Sequence, residues 1–224
     1  YPWISPYAVY ANNTLKYADY NGMDWYQHES GAVIWQEGNN NTIFVNNQTY
    51  NNIGENYNHM INNVTYSYTQ NNLTSITYTG ITSDSWISQI ANKINCYQAS
   101  SQMLNKEGTS TAGRGSEIII VNQGENGRAG SGNNNLNVGV SVINNTLEAG
   151  KPIIVGVDYK NNSPNADGMT DHFVVISSVT QNINNGKVMS TVYNFYDPGT
   201  QNRDWGTSVN NTLSITVSYT HLRA

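Results

Sequence analysis

In the first third of the chain, apolar positions sit in short alternating runs, and only near the middle do they fall at helical spacing. Ala32-Val33-Ile34-Trp35, Thr42-Ile43-Phe44-Val45, Val64-Thr65-Tyr66-Ser67-Tyr68 and Ser75-Ile76-Thr77-Tyr78 are β-type runs separated by Asn/Gly clusters that punctuate hairpins. They predict a small antiparallel β unit, preceded by a Tyr-rich tail that closes at Asn21-Gly22. Near Ser83 the period changes. Trp86, Ile87, Ile90 and Ile94 are spaced at threes and fours behind Ser83-Asp84-Ser85, which predicts a short capped helix. Cys96, Ala99 and Met103 repeat the same spacing, with Gly108 as terminator, so a second helix is expected to begin at or near Cys96.

Further on, Glu117-Ile118-Ile119-Ile120-Val121 reads as a strand, and the Gly/Asn stretch 122–135 as a mobile loop. Val140, Ile143 and Leu147 mark another helix, ended by Gly150, and Pro152–Val157 reads as a buried strand. His172-Phe173-Val174-Val175-Ile176 and Val188–Tyr196 are strands joined across Asn184-Asn185-Gly186, whose Asn-Gly pair favours a tight hairpin. Helices ahead of an antiparallel sheet predict an α+β domain, with the helix that carries Cys96 packed on the sheet.

Composition narrows the function classes. The chain has 224 residues, enough for one sizeable domain with a smaller annex. Only 11% are charged and the net charge is -5, so there is no basic field to hold a phosphate backbone, and nucleic acid is not an expected partner. No apolar run approaches the roughly 20 residues that cross a bilayer. Tyr1 to Asn13 lacks the basic start and apolar middle of a signal peptide, and the missing initiator Met suggests a fragment. The expected division is 1–24 as a tail, 25–82 as a β-hairpin-rich linker region and 83–224 as the main domain.

The single cysteine, Cys96, excludes an internal disulfide framework and any Cys-cluster zinc site. By default a lone Cys is a small buried hydrophobe. A helix N-terminus changes that reading, because unpaired N–H groups and the positive end of the macrodipole favour the thiolate, and a neighbouring imidazole can take the proton. Among the four His, His28 and His59 lie in the polar β region and His221 near the end, whereas His172 heads a strongly apolar strand. Alone, His172 is an unreactive strand-edge residue. Asp197 adds a third group: it ends the next strand in Asn194-Phe195-Tyr196-Asp197-Pro198-Gly199, and antiparallel pairing brings the start of one strand beside the end of the other. Its ordinary use would be a plain Asp-Pro-Gly turn. As a group, Cys96 is the candidate nucleophile, His172 the general base and Asp197 the residue that orients the imidazole. Gln89 is the candidate side-chain donor to an oxyanion, with Asn92 as rival. This chemistry calls for no metal and no organic cofactor.

Asn95-Cys96-Tyr97-Gln98-Ala99-Ser100-Ser101-Gln102-Met103-Leu104 resembles the nucleophile helix of papain-like cysteine peptidases, especially the bacteriocin-processing-peptidase-like branch. Glu148-Ala149-Gly150-Lys151-Pro152-Ile153-Ile154-Val155-Gly156-Val157 is similar to that branch's Gly-x-Pro entry into a core strand, and Asp171–Ile176 and Phe195–Pro198 complete a likeness covering residues 83 to about 200. Cys96-Tyr97-Gln98 stands where the branch usually has Cys-Gly-Pro. The resemblance implies a papain-like fold, a protein or peptide substrate and an acyl-enzyme thioester resolved by water. Deamidation or acyl transfer by the same three residues, and a catalytically silent surface or adhesion module, stay open beside it.

A second resemblance lies in Ser5–Tyr17 and Asn21-Gly22-Met23-Asp24, which look like the end of the RHS-repeat-associated core of large exported bacterial proteins. Asp19-Tyr20-Asn21-Gly22 lacks the Pro of that core's closing Asp-Pro-x-Gly motif. The resemblance implies a secreted or surface-exported chain whose C-terminal module is a delivered toxin, with a cognate immunity protein as a further partner. Val217–Ala224 resembles a translated sequencing-adapter string, and His221 is set aside on that ground.

Overall fold

The computed structural model describes residues 23–38, 40–109, 135–157 and 172–215. Residues 1–22 of the expected tail 1–24, the strand 117–121, most of the loop 122–135 and His221 lie outside them. The fold is α+β, mostly antiparallel sheet with few helices. The chain falls into two compact units, one of residues up to Met60 with Thr65–Ile76 and Ile183–Gly186, the other of Ile61–Val64, Thr77–Asn182 and Lys187 onward.

In the first unit, β1 (Met23–His28), β2 (Val33–Glu37), β3 (Thr42–Val45) and β4 (Gln48–Gly54) form a four-stranded sheet in the order β2-β1-β4-β3. β1 pairs antiparallel with both β2 and β4, and the register shifts by a bulge between Trp25 and Tyr26. Tyr26 is fully buried and donates its hydroxyl to the Gly38 carbonyl at 2.6 Å. Trp25 meets Trp35, Tyr57 and Tyr68 with ring centroids 5.1, 5.1 and 5.8 Å away, so aromatic rings do the work that aliphatic side chains do in most cores.

A second, seven-stranded sheet has the order β11-β10-β9-β7-β6-β5, with β8 paired to β9 beside that path. Its strands are β5 (Asn56–Ile61), β6 (Val64–Thr69), β7 (Asn72–Thr79), β8 (Ile153–Val157), β9 (His172–Asn184), β10 (Lys187–Tyr196) and β11 (Thr212–Ile215). Asn46 and Asn47 (φ 50° and 63°), Gln70 and Asn71 (47° and 62°) and Asn185 and Gly186 (49° and 73°) turn the β3–β4, β6–β7 and β9–β10 hairpins. Two consecutive left-handed residues match the twist of the strands, and Asn tolerates that conformation better than other side chains. The abundant Asn therefore serves as turn chemistry.

In the second unit, two helices cover opposite faces of the sheet. α2 (Cys96–Lys106) contributes Met103 and Leu104 to a cluster with Ile81 and Val175, joined by Ile154 and Tyr196. α3 (Asn135–Glu148) contributes Leu147 to a cluster with Ile176, Val179 and Tyr193, joined by Ile153 and Val155. Val175 and Ile176 are neighbours in β9, and adjacent strand residues point to opposite faces, so each serves a different helix. The helix expected over Trp86–Ile94 is broken. A 3-10 turn spans Ser83–Ser85, Trp86 is extended (φ -60°, ψ 140°), and a one-turn helix α1 (Gln89–Asn92) starts afresh at Ser88, whose hydroxyl accepts from Ala91 N. Lys93, left-handed at φ 52°, ends it. A last turn, α4 (Arg203–Gly206), follows β10. Among the described residues, no helix is long and apolar enough to cross a membrane.

Candidate functional site

Cys96 is the first residue of α2, where the backbone N–H has no partner within the helix. The helix begins there because Asn95 caps it: Asn95 Oδ1 accepts from Gln98 N at 2.8 Å, and Gln98 Oε1 accepts from Asn95 N at 3.2 Å, a reciprocal capping box. The cap satisfies the Gln98 N–H and fixes where the helix starts. Cys96 is a half-buried free thiol.

The same turn is held against the start of β9. Ser100, one helical turn beyond Cys96 and fully buried, donates its hydroxyl to the Phe173 carbonyl at 3.3 Å. Tyr97 sets its ring edge-on to Phe173, with centroids 5.3 Å apart. The neighbours of Cys96 thus contact the neighbour of His172. His172, buried at the head of β9, directs Nε2 to Asp197 Oδ1 at 2.7 Å. A carboxylate accepts, so Nε2 carries the proton, and Nδ1 is the acceptor of the neutral ring.

Asp197 follows directly on β10. Its carboxylate accepts from Gly199 N at 2.6 Å as well as from His172. Burial pushes the Asp197 carboxyl up, but the His172 and Gly199 hydrogen bonds and the His172 charge outweigh burial and hold it below the usual carboxylate value. Gly199 has no room for a side chain: a Cβ there would stand 2.9 Å from Asp197 Oδ1 and 3.2 Å from His172 Cε1.

Gln89 opens α1, and its backbone N–H donates to the Pro198 carbonyl at 2.9 Å, which sets it beside the Asp197 loop. Its Oε1 is buried without a hydrogen-bond partner. A half-turn of the carboxamide would place its NH2 there instead. Asn92, the rival, commits its amide to the Ser88 carbonyl at 2.8 Å.

No protein-family model, curated protein or solved structure matches the chain. The site is therefore read from its own geometry. The structure brings His172 and Asp197 into direct contact, brackets Cys96 and His172 by contacts between their neighbours, and ties the backbone of Gln89 to the loop after Asp197. Among the described residues, no group of three His, Cys, Asp or Glu side chains is placed to hold a metal ion.

Periodicity did not mark Trp86, Ser88, Ser100 and Gly199 as parts of the site. Its spacing places Trp86 at a helical core position, while Ser88 and Ser100 act through side-chain hydrogen bonds and Gly199 by having no side chain. An Asp-Pro-Gly tripeptide after a strand was the one available signal for Gly199.

Proposed function

We propose that the chain is a cysteine-nucleophile amide hydrolase with a papain-like arrangement of nucleophile helix and sheet, acting on a protein or peptide. The observation that carries this reading is the 2.7 Å His172–Asp197 hydrogen bond at the strand end against which the first turn of the Cys96 helix is held. The contact lies where the first turn of a capped helix, which begins on the molecule's one cysteine, meets β9.

In this mechanism His172 Nδ1 takes the Cys96 proton and the thiolate attacks the amide carbonyl carbon. The C–N bond breaks as the imidazolium protonates the departing amine, leaving a thioester on Cys96. A water molecule, deprotonated by His172, attacks the thioester, and the carboxylic acid departs as the thiol is restored. Asp197 fixes the ring and stabilises its charged form. The Cys96 N–H and the Gln89 amide are the donors assigned to the oxyanion. Export as the effector module of an RHS-type protein, with an immunity protein as partner, is supported by the resemblance of Ser5–Asp24.

Alkylation of Cys96 by iodoacetamide between pH 4 and 9, in the wild type and in His172→Ala, tests the reading. Fast labelling well below pH 8 that vanishes in the variant is expected. An ordinary thiol titration in both proteins would sink it and favour a silent surface module.

A further inference from the structure

Trp86 was expected on the apolar face of a helix, and it does pack beside the cluster of Ile81, Met103, Leu104 and Val175. Yet the chain is extended at Trp86, and the indole serves a polar partner: Nε1–H donates to the Asp197 backbone carbonyl at 2.8 Å, across 111 positions. The ring lies so close over Gly206 that a Cβ built there would fall inside it. Gly206 in turn offers its carbonyl to Asp197 N at 2.8 Å. Both backbone polar groups of Asp197 are therefore held, the carbonyl by Trp86 and the N–H by the residue on which Trp86 rests.

The residues after Trp86 continue the same attachment. Ser88 Oγ donates to the Thr200 carbonyl at 2.6 Å, and Gln89 N to the Pro198 carbonyl at 2.9 Å. Segment 86–89 and loop 197–200 are thus laced together by three hydrogen bonds. The indole bond is the one that reaches the residue carrying the carboxylate. Tolerances for productive site geometry are tight, about 0.5 Å and 10–20°, and a carboxylate free to swing about its backbone exceeds them.

We propose that Trp86 is a positioning residue of the site, fixing the backbone of Asp197 through its indole N–H so that the carboxylate meets His172 Nε2. This rests on the thiol–imidazole reading above. Trp86 touches no reacting atom; it acts through Asp197. Loss of the N–H loosens the carboxylate's hold on the ring, and with it the base that the thiol–imidazole reading assigns to Cys96. Above the thiol's own titration the imidazolium is no longer needed, so the effect is confined to the acid side.

The test compares the pH dependence of Cys96 alkylation by iodoacetamide in the wild type and Trp86→Phe, which keeps an aromatic ring and removes the donor. The acid limb of the profile should drop by roughly three- to tenfold at pH 6, with rates converging near pH 9. A ring that served packing alone would lower thermal stability without moving the limb. An unchanged limb in a variant whose wild type shows the activated thiol overturns the assignment and leaves the hydrolase reading standing. If the wild type itself titrates as an ordinary thiol, both fall together. Should the Phe variant fail to fold, benzothienylalanine at position 86, which keeps the bicyclic shape and replaces N–H by sulfur, gives the same reading with the same outcomes.

Discussion

His172 Nε2 and Asp197 Oδ1 stand 2.7 Å apart although 25 positions separate them in the chain. The contact follows from the hairpin: β9 starts at His172, β10 stops at Tyr196, and the turn at Asn185-Gly186 folds one strand back beside the other. It places an acceptor-only group on one ring nitrogen and so decides the tautomer.

Asp197→Asn keeps the shape and removes the charge. Alkylation of Cys96 near pH 6 should fall by roughly tenfold to a hundredfold, since an amide holds the imidazolium poorly. Stability should change with pH in a defined direction. The native Asp197 carboxyl lies below its unfolded value, near 3.9, so its contribution is complete above that value and is lost as pH falls through the native one. In calorimetric scans from pH 6 to 2.5, the wild type's advantage in melting temperature over Asp197→Asn should shrink below about pH 4. A constant gap would refute the assignment.

Gly199→Ala puts a methyl group 2.9 Å from Asp197 Oδ1 and 3.2 Å from His172 Cε1. The carboxylate, the ring or the loop must give way, and the His172–Asp197 contact is disturbed. A destabilisation of about 1–3 kcal/mol by urea titration, with a larger loss of low-pH alkylation than any stability-matched core variant shows, is expected.

Asn95→Ala removes the cap of the Cys96 helix. The cost should be about 0.5–2 kcal/mol, and the thiol should become slower at low pH as the first turn frays. Asn95→Ser, which retains a capping oxygen, should restore both. Failure of Ser to rescue would show that the cap does not govern Cys96.

Leu147→Ala empties a fully buried position between α3 and β9. About 2–5 kcal/mol should be lost, measured by denaturant unfolding. The acid limb of Cys96 labelling should stay in place, because Leu147 lies on the sheet face that α2 does not cover.

How much of this was legible in the sequence depends on how local the signal is. The Cys96 helix was readable from Cys96, Ala99, Met103 and Gly108, because repeat and terminator lie within a few turns. The β9–β10 hairpin was readable from Asn185-Gly186, and it brought His172 and Asp197 to one edge. β4 and β5 were not, since Gln48–Gly54 and Asn56–Ile61 hold Asn, Gln, His and Tyr without apolar alternation. They are strands because left-handed turns lay them beside partners. The helix over Trp86–Ile94 had the right period and still failed to form as one piece. Ser88 caps a new turn and Trp86 stretches to reach Asp197, both tertiary bonds that no window of local sequence contains.

The order of the three residues along the chain has a consequence for biosynthesis. A growing polypeptide exposes Cys96 well before His172 and Asp197 exist, and both of these arrive on one hairpin. Until that hairpin closes, the Cys96 helix lacks the strand that Ser100 and Tyr97 grip. The surroundings of Cys96 are therefore complete only once β9 and β10 have paired.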